Sequence, residues 1–227
     1  LSDLLKYPRE LAMSTVSNLG MQTGYYGLTL WAPMILVLVL GIAPSEAAFY
    51  MIFLTFAALA GRVGFSLLSE MIGRRSTGIL ATGGAAAMLL VAAFTVESLQ
   101  GAMIVFLALM TLAFFFGEGG FAIVGPYSAE VWPTHLRSTG MGASYGFGGL
   151  GKIIGPMGLA LIVGASTSAI PTSGEISFQN AFIYFAVWYG LACLSYVLWG
   201  IETRGRTLDE IDTRILVPPP AGERAAR

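Results

Sequence analysis

The chain has 227 residues, of which 56% are hydrophobic and 11% charged. That is too little polar surface to coat a soluble globule of this size, which excludes a water-soluble enzyme and places the chain in a bilayer. The net charge of -1 says little by itself, since in a membrane chain the side on which charge falls is what matters; no nucleic-acid partner is expected.

Six apolar stretches, each about 20 to 26 residues, are long enough at ~1.5 Å per residue to cross a hydrocarbon core of ~30 Å with some tilt. The lead-in LSDLLKYPRE is interfacial, with Pro8 acceptable near a helix start. The first helix is predicted over Leu11 to Leu36 and contains Gly20, Gly24, Gly27 and Pro33. Its polar and aromatic residues are Asn18, Gln22, Tyr25, Tyr26 and Trp31, of which Asn18, Gln22 and Tyr25 or Tyr26 recur at three- and four-residue spacing on one face. The run ILVLVLGIA extends this helix or lies along the interface, and Pro44, Ser45 and Glu46 then form a short turn in which Ser45 is placed to cap the second helix, Ala47 to Leu68.

After that helix comes Gly64-Phe-Ser-Leu-Leu-Ser-Glu70-Met-Ile-Gly73-Arg74-Arg75, where Gly73 permits a tight reversal. The arginines there can meet Glu70, Glu130, lipid phosphates or helix C-terminal carbonyls. The third helix is predicted over Thr77 to Val96 and the fourth over Met103 to Pro126. The fourth carries Glu118 in FFFGEGGF, together with Gly117, Gly119, Gly120, Gly125 and Pro126. Helices one and four each lead a triplet, and interrupted helices at matching positions of two repeats point to a solute site between them.

Glu130-Val-Trp-Pro-Thr-His-Leu-Arg137-Ser-Thr-Gly follows, with Pro133 ending one helix and starting a bent turn. The fifth helix, Met141 to Val163, contains Lys152 in GGLGKIIGP. The connection STSAIPTSGEIS is polar and solvated. The sixth helix, Phe178 to Gly200, holds the single cysteine, Cys193, which gives neither a disulfide framework nor a Cys-based metal site; no metal or cofactor is expected. The chain then divides into a bundle over 1–201 and a tail over 202–227 whose end, VPPPAGERAAR, is expected to be disordered.

Charge fixes an expected orientation. Lys6 and Arg9 precede the first stretch, Arg62, Arg74 and Arg75 group around the second connection, Arg137 lies in the fourth, and Arg204, Arg206, Arg214, Arg224 and Arg227 follow the last. The intervening connections carry Glu46, Glu97 and Glu175 and no base. The positive-inside bias therefore puts both termini in the cytoplasm. Alanine, glycine and arginine usage with short outer connections points to a bacterial inner membrane, and a first residue of Leu with no cleavable signal points to a segment of a longer protein.

Glu118 lies about 18 Å deep, counting back from Glu130 by helical rise. An ionisable side chain there costs at least ~2.5 kcal/mol, so it should face a cavity or a partner. Lys152, the one cation that falls inside a stretch on this reading, stands fifteen positions after Arg137 at a similar depth, so the two can meet as an ion pair, though depth alone does not decide that they touch. Such a pair serves as a switch, with Glu118 taking a coupling proton and Lys152 the solute's negative charge; the competing role is to fix helix register.

The segments quoted above resemble the C-terminal six-helix half of the major facilitator superfamily, in its sugar-porter and metabolite:proton symporter branch. The acid-x-aromatic-Pro-Thr-x-x-Arg-x-Thr-Gly pattern falls on Glu130 to Gly140, Gly-Arg-Arg on Gly73 to Arg75, and Glu202-Thr-Arg-Gly-Arg-Thr-Leu-Asp-Glu-Ile211 matches the segment after the last helix. Ser66, Glu70, Met71 and Ile201 depart from the commoner residues. The resemblance implies an all-α membrane fold of two three-helix repeats, half of a twelve-helix transporter. It implies too that Glu70, Arg74, Arg75, Glu130 and Arg137 form a gating network and that helices one and four line the cavity. Glu118, Lys152, Gln22, Tyr25, Tyr26 and Asn18 are then the expected solute and proton residues.

Met21-Gln22-Thr23-Gly24 and Glu118-Gly-Gly-Phe differ from the sugar porters' signatures, which argues against a hexose; an intramembrane lysine with aromatic neighbours suits an organic or aromatic acid moved with a proton. A six-helix channel, a sugar carrier, or a regulatory half-protein without transport of its own are the competing readings. A Ser144–His135 hydrolase has poor support, because His135 belongs to a polar connection and no second histidine exists.

Overall fold

The computed structural model describes residues 2–95, 103–163, 178–205 and 210. Glu97, Glu175, the STSAIPTSGEIS connection, Arg206 and the end of the tail lie outside the described residues. A 3-10 turn over Ser2–Lys6, closed by a Lys6–Asp3 pair at 2.6 Å, leads into α1, Pro8–Leu40. Then come α2 (Pro44–Ile72), α3 (Arg74–Thr95), α4 (Met103–Glu130), α5 (Arg137–Gly148), α6 (Gly151–Val163) and α7 (Phe178–Trp199), with a second 3-10 turn at Thr134–Leu136. Among the described residues six segments are long and apolar enough to cross a membrane, α5 and α6 together falling in one. The chain is thus an all-α multi-pass membrane protein, as its apolar stretches predict.

The helix ends follow local chemistry. α1 absorbs the ILVLV run and stops where Gly41 turns left-handed, φ 65°, its N–H bonding the Val37 carbonyl. Pro44 opens α2 in its first turn with Ala43 at the N-cap, so the predicted Ser45 cap is wrong: Ser45 is one residue inside, and Pro44 supplies the start by its fixed φ. Only Gly73 separates α2 from α3. Its φ of 94° suits glycine, and a Cβ there would fall on the Glu202 carboxylate.

The interrupted helix is not where the sequence placed it. α1 and α4 run unbroken past Pro33 and Pro126, with α4 continuing to Glu130. The break falls at Gly149 and Leu150, inside the predicted fifth helix. Glycines at 146, 148, 149 and 151 lower helix propensity there, and Gly149 and Leu150 close tight bonds to the Gly146 and Phe147 carbonyls. A lone proline removes one donor and can be carried by a helix whose neighbours brace it, whereas four glycines in six residues weaken a whole turn.

Helix pairing carries an internal symmetry. α2 packs on α4 as α5 and α6 pack on α1, α3 on α4 as α7 on α1, and α3 packs on α7. Exchanging the first triplet with the second leaves this pattern unchanged, so each triplet holds the other's leading helix. Two close crossings show it locally: a Cβ on Gly61 of α2 would strike the Phe115 carbonyl of α4, and one on Gly155 of α6 would strike the Thr23 carbonyl of α1. Apolar side chains such as Phe94 (69% exposed) and Ile104 (84% exposed) face outward, as hydrocarbon surroundings permit.

Candidate functional site

α1 and α4 run side by side through the centre of the bundle, and their aromatic residues interlock midway. Tyr25 packs edge-on against Tyr26 and Phe121, with ring centroids 5.7 and 5.0 Å apart, and tilts against Phe114. Such edge-to-face pairs fix ring positions beyond what burial alone would do.

A cation flanks this aromatic strip on each side. The Lys152 ammonium lies over the Tyr26 ring, 4.9 Å from its centroid, and the Arg62 guanidinium over Phe121 at 5.8 Å. Arg62 also bonds Glu118, Nε to Oε1 at 2.9 Å, with the arginine side chain half exposed and the glutamate 13% exposed. The other carboxylate oxygen, Oε2, is buried without a hydrogen-bond partner, and so is the Tyr189 hydroxyl, which packs against Gly117. A recess of about 520 Å³ opens onto this pair, lined by Tyr25, Met51, Thr55, Arg62 and Glu118 among others. A second, of about 600 Å³, is lined by Trp31, Lys152 and Pro156.

The partnership predicted from depth alone is therefore corrected. Glu118 pairs with Arg62, and Lys152 engages Tyr26. Arg62 belongs to the interior of α2, ten residues before its end, and not to the second connection. A charge inside the stretch Ala47 to Leu68 was the signal that would have found it. Each cation lies within one turn of a crossing glycine, Arg62 beside Gly61 and Lys152 three residues before Gly155.

Asn18 and Gln22 sit elsewhere. Both are fully buried in the seam where α1 meets α4 and α5. Asn18 donates to the Ser14 carbonyl and to Ser128 Oγ, both at 2.8 Å, and Gln22 donates to the Tyr145 carbonyl at 3.3 Å. Gly148 leaves them room, since a Cβ there would meet the Gln22 amide at 2.6 Å. Trp31 donates to the Pro156 carbonyl at 3.3 Å and ties α1 to α6. Ser144 Oγ is 2.7 Å from Ser14 Oγ, while His135 is exposed in the Thr134–Leu136 turn.

At the basic end of the bundle the charged residues divide into two roles. Arg74 bridges acids, with Glu70 at 2.7 Å and Glu130 at 3.5 Å, while its backbone N–H donates to Glu202 at 2.9 Å. Thr203 donates to the second Glu130 oxygen at 2.5 Å. Arg75 and Arg137 serve helix ends instead. Arg75 donates to the Tyr196 and Val197 carbonyls of α7 at 3.1 and 2.9 Å, and Arg137 donates to the Ala129 carbonyl of α4 at 3.1 Å. The buried Tyr127 hydroxyl donates to the Ile201 carbonyl at 2.5 Å and accepts from the Ile201 N–H at 2.7 Å, pinning the segment after α7 beneath α4.

Residues 4–214 match the family described as "Sugar (and other) transporter". The chain is 31% identical, over 91% of its length and 45% of the relative's, to the "Probable 4-methylmuconolactone transporter" of Cupriavidus pinatubonensis. It is 25% identical, over 91% of its length and 44% of the relative's, to the "Niacin transporter NiaP" of Acinetobacter baylyi. To the "Cis,cis-muconate transport protein" of the same organism it is 28% identical over 60% of its length and 32% of the relative's. The chain thus spans about half the length or less of these relatives. With its three charged segments in order, its six apolar spans and its interlocked triplets, the chain belongs to the sugar (and other) transporter family, in the metabolite branch of the major facilitator superfamily.

Proposed function

We propose that this chain is the C-terminal half of a carrier that moves a small organic or aromatic acid together with a proton by alternating access. The observation that carries the reading is the aromatic strip flanked by two cations at mid-depth, Lys152 over Tyr26 and Arg62 over Phe121. An aromatic carboxylate needs a π-face for its ring and a cation for its charge, and both are within one residue's reach here. The relatives' names support the class, since niacin is a pyridine carboxylic acid and muconate a dicarboxylate.

In this reading Glu118 takes the coupling proton. While ionised it neutralises Arg62; once protonated it frees the guanidinium for the solute's carboxylate, so anion and proton bind together. Tyr25 and Tyr26 hold the ring. Glu70, Arg74 and Glu130 form the gate at the basic end, which would close against the other half in one state and open as the halves rock, with Arg75 and Arg137 holding helix ends in register. The bundle over 1–201 is the transport unit and 202–227 its tail. Both ends of the chain face the cytoplasm of a bacterial inner membrane, and the preceding six-helix half completes the cavity.

The test is uptake into proteoliposomes of the full-length protein, using labelled nicotinate and cis,cis-muconate as probes. Acidifying the outside should accelerate saturable uptake of at least one, Glu118→Gln should abolish that acceleration, and Lys152→Met should raise the half-saturation concentration. Flux that does not saturate and ignores the pH gradient would make the protein a channel and overturn the proposal.

A further inference from the structure

The seam on α1 has a polar ridge of its own. Glu10, Ser14, Asn18 and Gln22 follow one another at four-residue spacing from the basic end toward mid-depth, about 6 Å of rise per step. Glu10 is half-buried and the other three are fully buried. Ser14 Oγ donates to the Glu10 carbonyl at 2.7 Å and meets Ser144 Oγ at the same distance. One turn beyond Gln22, Tyr25 stands beside Glu118.

Oxygens along this ridge are left over. Asn18 Oδ1, Gln22 Oε1 and the neighbouring Thr15 Oγ1 are buried with no partner in the protein, and so are Glu118 Oε2 and the Tyr189 hydroxyl at its deep end. A single buried acceptor of this kind costs about 1–3 kcal/mol, and several in one file call for donors between them. One water molecule can satisfy two to four such groups. Neither Asn18 nor Gln22 lines the recess at Arg62.

We propose that the ridge Glu10–Ser14–Asn18–Gln22 holds a file of water that carries the coupling proton between the basic end and Glu118, with Asn18 and Gln22 as positioning residues and not solute contacts. This rests on the reading of Glu118 as the proton site. Along the file each O–H bond breaks as the next forms: in uptake the O–H bond at Glu118 Oε2 breaks and one proton is delivered to the bulk at the basic end, and in the reverse direction one proton is taken from that side and the O–H bond at Glu118 Oε2 forms. The groups facing that carboxylate are Arg62 from α2, Tyr25 from α1 and Tyr189 from α7.

The experiment compares Gln22→Leu with Gln22→Ser in the full-length protein. Both lose the bond to the Tyr145 carbonyl, but serine leaves a polar space for water and leucine fills it with hydrocarbon. In proteoliposomes, pH-driven uptake of nicotinate or cis,cis-muconate should fall about ten-fold or more in Gln22→Leu and recover in Gln22→Ser, while solute exchange at equal pH, which moves no net proton, stays within about two-fold. Parallel loss of both fluxes, or loss of neither, overturns the proposal. A second reading needs no solute: after a pH drop confined to the basic-end side of the membrane, the infrared carbonyl band of protonated Glu118, identified by its absence in Glu118→Gln, should rise about ten-fold more slowly in Gln22→Leu. An unchanged rise refutes the file even if transport reads as proposed, and absent pH-driven uptake with a slowed rise refutes the transport reading alone.

Discussion

Replacing glycine by alanine inside a helix ordinarily stabilises it by about 0.5–1 kcal/mol, because alanine has less backbone freedom to lose. Gly64 of α2 and Gly142 of α5 are ordinary in this sense, with nothing within 4 Å of an added Cβ. Gly61 and Gly155 are not, since a Cβ on either would overlap a carbonyl of the facing helix, Phe115 or Thr23. Relieving that overlap means separating α2 from α4, or α6 from α1, at an overpacking cost of about 1–3 kcal/mol. Gly61→Ala and Gly155→Ala are therefore expected to lower the thermal midpoint of the full-length protein by roughly 2–12 °C, at ~2–4 °C per kcal/mol. Gly64→Ala and Gly142→Ala should leave it unchanged or raise it. Tryptophan fluorescence on heating in detergent reads all four. If Gly61→Ala and Gly64→Ala shift the midpoint in the same direction by the same amount, the close crossing of α2 and α4 is wrong, and with Gly155 the symmetry argument falls too.

Tyr127→Phe removes both partners of the Ile201 backbone from a buried site and should cost about 1–3 kcal/mol, read as a lower midpoint with the helical circular-dichroism signal intact. On the proposed transport reading, Lys152→Met and Tyr26→Leu should each weaken binding of the nicotinate probe, by about 2- to 30-fold for a cation–π contact of ~0.5–2 kcal/mol, and the double variant should lose less than the sum. Arg74→Gln leaves Glu70 and Glu130 without their bridge, so a cysteine placed at Thr203 should become more reactive to a membrane-impermeant thiol reagent; equal reactivity would remove Arg74 from the gate.

The spans were legible because twenty apolar residues in a row have one physical solution in lipid, and length alone sets where they begin and end to within a few residues. Glu118 was legible for the same reason, since a lone acid in such a run stands out. Its partner was not. Depth along a helix gives one coordinate, whereas pairing depends on which faces meet, and only the packing of α2 on α4 brings Arg62 to Glu118. Asn18 and Gln22 illustrate the same limit, because helical spacing puts them on one face with Tyr25 and Tyr26 while the closeness of α5, permitted by Gly148, buries the first two; Tyr25 lines the recess and Tyr26 lies under Lys152. The break in the fifth span was visible as a glycine cluster, but prolines in α1 and α4 gave a stronger and misleading sign.

Interlocked triplets also set the order in which the protein can be made. α2 rests on α4, and α1 on α5, α6 and α7, so when α1 to α3 have left the ribosome and α4 to α7 have not, the bundle's principal contacts are unavailable. α1 and α2 must wait in lipid with the faces bearing Gly61, Arg62 and Asn18 uncovered until their partners emerge. A nascent chain arrested after α3 should therefore be protease-sensitive and a client for membrane chaperones, and one arrested after α7 should not. Each triplet's leading helix thus finds its main partners only in the other triplet.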